Sequence, residues 1–304
     1  MAMKKETSSD ASNAASSVLS SEFLVIELEQ PDDFDGFRQA AKVLLALRVE
    51  PHAVRWRFCQ PLTKQMQAQD LFAADEAGSV VGRALTPDAL EQLPLPPAQP
   101  LRLGKSQLST MRLACCHILE GRFALCYRWL YRLQADPRLR LDALDSDWRE
   151  IERLAKAAGR EIHKMHAFVR FRPVPGTETP ADAQPMQMAW FEPEHHVLRA
   201  ASGFFRRRFP NMRWAILTPQ CSVYWDLEQL LMAPGSTADQ APGPDAGEQL
   251  WLTYYRSTFN PARLKEQAMQ REMPRKYWKN LPEAQLISEL VAGARGRTQR
   301  MLQI

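Results

Sequence analysis

The sequence predicts an α+β fold: a mixed or antiparallel sheet packed by helices, with a helical C-terminal part. Three observations predict it. Short β-branched and aromatic runs, such as residues 23–28 and 214–217, are spaced between longer segments. Apolar residues recur at helical spacing in 37–45 and again in 151–165. Beyond residue 250 one helical segment follows another.

In chain order, residues 1–21 are rich in Ser and Ala and lack the apolar core of a secretory signal, so they read as a disordered tail. Residues 22–304 read as a single domain. Residues 23–28 form a first strand. A helix runs from 31 to 47, with Asp32 or Asp33 as N-cap and Phe37, Ala40, Ala41, Leu44 and Leu45 facing inward. Val54-Arg55-Trp56-Arg57-Phe58 alternates as a half-buried strand does. Residues 85–104 hold five prolines and read as a loop, the one place where a sub-boundary stays open.

Residues 106–133 read as two helices broken near Gly121. Asp147 and Glu150 give a capping signal for a long helix whose stripe is Ile151, Leu154, Ala158, Ile162 and Met165. Residues 168–172 then read as a strand, 188–191 as another, and 194–209 as a helix. Residues 214–217 and 222–225 form an antiparallel pair. Gly, Pro, Ser and Asp in 233–247 mark a flexible excursion. Helices are expected over 250–258, 261–271 and 283–301, with Asn260-Pro261 as cap and first helical residue.

Composition excludes several classes. No apolar run approaches the roughly 18 residues of a membrane helix. Cys59, Cys115, Cys116, Cys126 and Cys221 contain no Cys-x-x-Cys pair, which speaks against a structural zinc or iron–sulfur site and for a reducing cytoplasm. Phosphate-binding, dinucleotide, hydrolase and radical-SAM signatures are missing too. No metal and no cofactor is therefore expected.

The net charge of +4 conceals an asymmetry. Residues 1–148 sum to −2, 149–213 to +5, 214–250 to −5 and 251–304 to +6. Two basic segments flanking an acidic insertion make a polyanion patch if they converge; otherwise they coat solvated helix faces.

Four of the six histidines fall in 163–196. His163 and His166 share a helix face near its C-terminus; with Glu192 and His195 they make a candidate acid–base site, or else hydrogen bonds joining helix to sheet. Lys164, Arg170, Arg172, Arg206, Arg207, Arg208, Arg263, Lys265 and Lys276, with Trp278, are the candidate nucleic-acid contacts, cations for the backbone and an aromatic for the bases. Consecutive Arg206, Arg207 and Arg208 fan around a helix, so not all three can touch one ligand: one or two meet phosphates or acidic neighbours and the third is solvated.

Three blocks carry a family resemblance. They are His163-Lys164-Met165-His166-Ala167-Phe168-Val169-Arg170-Phe171, then Phe191-Glu192-Pro193-Glu194-His195-His196, then the tail 255–281. The tail holds Phe259-Asn260-Pro261-Ala262-Arg263-Leu264-Lys265 and Met273-Pro274-Arg275-Lys276-Tyr277-Trp278. Over about residues 23–301 the chain resembles a bacterial domain-of-unknown-function family associated with DNA metabolism. That family occurs beside a radical-SAM protein and N-terminal to UdgX-type uracil-DNA glycosylases. The glycosylase motifs do not appear here, so the resemblance implies a stand-alone member or the severed N-terminal half of a fusion.

The expectation is a DNA-metabolism or repair accessory domain that binds DNA and works with a radical-SAM protein or a UdgX-type glycosylase domain. The alternatives are an enzyme acting on a nucleic acid or nucleotide, and a scaffold whose C-terminal helices dock a partner.

Overall fold

The computed structural model describes residues 23–58, 83–93, 101–176, 185–243, 252, 266–281, 283, 284, 286, 287 and 290. The expected tail 1–21, most of the C-terminal helices, and Arg263 and Lys265 lie outside the described residues. The fold is α+β, with two sheets and helices packed on them. The chain divides into two compact units, Met1–Gly159 and Arg160–Ile304.

The first unit is built on a parallel sheet. Strand β1 (Leu24–Leu28) lies between β2 (Val54–Phe58) and β3 (Arg83–Leu85), parallel to both. Parallel neighbours require a crossover, and helix α1 (Phe34–Ala46) makes the one from β1 to β2. Asp33 caps α1 by accepting the Gly36 N–H at 2.8 Å, and Phe37, Ala40, Ala41, Leu44 and Leu45 are buried as their spacing predicts. Part of the proline-rich stretch is helical: Thr86 caps α2 (Pro87–Glu91), with Pro87 in the first turn, where the missing N–H costs nothing.

Helices α3 (Lys105–Cys115) and α4 (Arg122–Ala135) flank the break at Gly121. They close a core that includes Phe37, Phe123, Tyr127, Trp129 and Met111. Arg122 is buried in it and donates to the carbonyls of Cys115, Leu119 and Pro31 at 2.9, 2.8 and 2.5 Å. Burial pushes the Cys116 thiol up to about 12 and that of Cys115 well above its usual range. Both are protonated, inert core groups.

Helix α5 (Ser146–Phe168) is longer than its pattern suggested at both ends. Its cap is Asp145, not Asp147: Asp145 accepts the Trp148 N–H at 2.9 Å. Asp147 instead takes Arg128 and Arg132 of α4 at 2.6 and 2.9 Å. The Arg128 hydrogen bond, outweighing burial, holds its carboxyl below the usual 3.8.

The second unit carries a five-stranded mixed sheet in the order β4-β5-β6-β7-β8. Its strands are β4 (Arg172–Pro173), β5 (Gln187–Trp190), β6 (Trp214–Leu217), β7 (Cys221–Trp225) and β8 (Leu230–Pro234). Only β5 and β6 are parallel, and helix α6 (Leu198–Arg208) connects them. The strand expected over 168–172 is corrected. Helix α5 continues to Phe168, Val169 N–H still bonds the Met165 carbonyl at 3.0 Å, and only Arg172 and Pro173 pair with β5. The helix expected from 194 begins at Leu198, which leaves Glu194, His195 and His196 on a bend. Strand β8 adds an edge that the sequence reading did not give, and its last two residues, Ala233 and Pro234, fall at the start of the expected excursion. A further helix, α7 (Glu266–Glu272), precedes a two-turn 3-10 segment, Arg275–Asn280.

Candidate functional site

The second unit gathers its polar residues around one buried carboxylate. Glu161, only 3% exposed, sits on α5. Its Oε1 accepts the backbone N–H of Glu194 at 2.9 Å, and its Oε2 that of His195 at 2.7 Å. Tyr277 donates its hydroxyl at 3.1 Å and Lys276 its ammonium at 3.2 Å. Lys276 also donates to Glu194 Oε2 at 2.8 Å. A buried carboxylate is tolerable only when paired and hydrogen-bonded, and Glu161 is both.

The electrostatics follow from that packing. Burial opposes the Lys276 charge, but the Glu194 hydrogen bond and the Glu161 carboxylate hold its pKa above the ordinary value. Burial, with Glu161 beside it, pushes Tyr277 up to about 12. Burial lowers the His195 imidazole against the pull of Glu161 and Glu194. Three of the four donors converge on Oε1, while Oε2 accepts the His195 N–H. Glu161 is thus placed to hold the 191–196 turn and the 275–280 segment on α5.

The four candidate catalytic residues do not form one cluster of hydrogen bonds. His195 is buried at the Glu161 junction. Glu192 accepts the Trp190 indole N–H at 3.3 Å and pairs with Lys279. His166 lies on α5 with its Nε2 3.3 Å from the Ala201 carbonyl of α6, and its ring stacks on Phe204 at 4.1 Å. His163 is exposed. Among the described residues no group of three His, Cys, Asp or Glu side chains is placed to hold a metal ion.

The candidate nucleic-acid residues divide into two sets. Lys164 donates to the Glu272 backbone carbonyl at 2.5 Å and pairs with its carboxylate at 3.2 Å. Arg170 pairs with buried Glu283 at 3.3 Å, and Arg172 donates to the Pro242 carbonyl at 3.0 Å. Lys276 belongs to the Glu161 junction, and half-buried Trp278 donates to the Met273 carbonyl at 2.9 Å. Those cations hold the fold together. Arg206, Arg207 and Arg208 form the other set: all three are exposed in the last turn of α6, and among the described residues none is in an ion pair. Arg208 lies 5.3 Å over the Phe209 ring. Residues 197–213 hold five arginines and no acidic residue.

Glu161 escaped the sequence reading, although a signal for it was present. It lies three residues after Ala158 and four before Met165, on the apolar stripe itself, while Ile162 is only half buried. A carboxylate on a buried stripe needs partners, and those come from the second and third of the three resemblance blocks.

No curated protein and no solved structure matches the chain. Residues 120–283 match the family described as a domain of unknown function, DUF4130, and the chain belongs to that family.

Proposed function

We propose that the chain is a DNA-metabolism accessory domain that holds nucleic acid on the C-terminal turn of α6. One observation carries the reading: Arg206, Arg207 and Arg208 are exposed and outside any described ion pair, while Lys164, Arg170 and Lys276 are spent on internal contacts. Long guanidiniums on a segment without a carboxylate suit phosphate oxygens. The setting implied by the resemblance adds the partner, a UdgX-type uracil-DNA glycosylase domain or a radical-SAM protein, whose DNA this domain would hold. The acid–base reading finds less support, because Glu161 is engaged in joining three segments and His163, His166 and His195 face different surroundings.

The test is fluorescence anisotropy with labelled single-stranded and duplex DNA, with and without uracil, across a salt series. Binding that weakens steeply with salt is expected, because each phosphate contact releases counterions. Absence of binding at low salt overturns the reading.

A further inference from the structure

We propose that the stacked rings of His166 and Phe204, flanked by Arg207 and His163, form a ledge for unpaired bases, so that this surface takes single-stranded nucleic acid in preference to duplex. The inference rests on the nucleic-acid reading above and adds the strand form.

The geometry begins on α6. Phe204, Arg207 and Arg208 are three and four residues apart, so they share a helix face. Neighbouring Phe205 turns the other way: it is buried and packs edge-on against Phe171 and Trp214. Core packing thus uses Phe205, while Phe204 stays partly exposed. Its ring lies nearly parallel to that of His166, with centroids 4.1 Å apart and planes inclined by 21°. The Ala201 carbonyl, 3.3 Å from His166 Nε2, and the Phe205 edge, 5.6 Å away, fix the imidazole. The ledge therefore stands on two helices and is set before any ligand arrives.

Cations border it. Arg207 folds back along α6, its guanidinium 3.5 Å from where a Cβ on Gly203 would stand. The Arg207 and His163 charges both reach the His166 imidazole, and these, after burial, contribute to holding it below its ordinary pKa. Charge complementarity selects a polyanion, since the whole segment 197–213 lacks a carboxylate. The two partly exposed rings then narrow the choice. Every base has a π-face that stacks on an aromatic side chain, but bases inside a duplex are already stacked on each other. Arginines alone would serve both forms equally; the ledge serves only the single strand.

The full chain is tested by anisotropy on a labelled DNA strand and on its duplex, with 2-aminopurine in the strand as a second readout. Phe204→Leu keeps an apolar side chain and removes the ring. It is expected to weaken single-strand binding about tenfold and to abolish the change in 2-aminopurine fluorescence. Duplex affinity and the salt slope stay as in the wild type. Phe204→Trp restores single-strand binding, which separates ring loss from a folding defect. A matched RNA strand identifies the source of the unpaired bases, and Phe204→Leu weakens whichever strand binds tighter. Equal loss on strand and duplex, or no loss on either, overturns the ledge alone. A wild type that binds neither form at low salt overturns the ledge and the nucleic-acid reading together.

Discussion

Glu161 decides how the second unit is joined. Removing one partner of a buried, hydrogen-bonded charge group leaves the others unsatisfied, and that loss exceeds the net worth of the pair. Glu161→Ala strands two backbone N–H groups, the Tyr277 hydroxyl and the Lys276 ammonium, and should cost about 3 kcal/mol or more in urea denaturation. Lys276→Met should cost less, about 1–3 kcal/mol, because it removes one of four donors but leaves buried Glu161 without its cation. Equal costs would mean that Glu161 is not the centre of the junction. The histidines give a second residue-scale expectation. Burial lowers both His166 and His195 from the ordinary 6.5. The unfolded chain binds protons near 6.5 while the folded chain still resists them, so stability falls as pH drops below about 6.5. Melting temperature followed from pH 8 downward should decline before the carboxylates titrate, and His166→Gln should flatten part of the decline. A curve flat to pH 5.5 would contradict this.

At the scale of elements, much was legible because burial writes a period into the sequence. The α1 face, the α3–α4 break at Gly121, the β2 alternation and the β6–β7 pair all emerge from spacing. What failed had a local cause in each case. Phe168 to Arg172 alternates like a strand, but the α5 hydrogen bonds run on into it. Strand β8 reads Leu-Leu-Met-Ala-Pro and does not alternate, and among the described residues it pairs only with β7. Its placement depends on a close approach: a Cβ on Gly235 would lie 2.0 Å from the Pro219 carbonyl oxygen, while Ser236 N–H bonds the Thr218 carbonyl at 2.9 Å. Gly235→Ala should therefore cost about 1–3 kcal/mol and speed hydrogen exchange along β8. Unchanged exchange would show that the β6–β7 turn yields without loss. The candidate site was half legible. The residue types were visible in 161–208, but which cations are spent internally depends on tertiary partners such as Glu272 and Glu283.

For the molecule as a whole, the charge pattern means less than its sum suggests. The +5 and +6 segments supply cations to both kinds of task, and partners decide which. No helix among the described residues is long and apolar enough to cross a membrane. In the proposed function Arg206, Arg207 and Arg208 meet phosphates while Lys164, Arg170 and Lys276 do not. The most direct measurement is the salt dependence of DNA binding for two variants side by side, Arg206→Gln/Arg207→Gln/Arg208→Gln and Lys164→Gln/Arg170→Gln/Lys276→Gln. The first should keep the wild-type melting temperature and lose about 0.7 of log–log slope per missing contact on a single strand. The second should melt earlier and keep the wild-type slope below its transition. A slope lost from the second variant and kept by the first would contradict the claim.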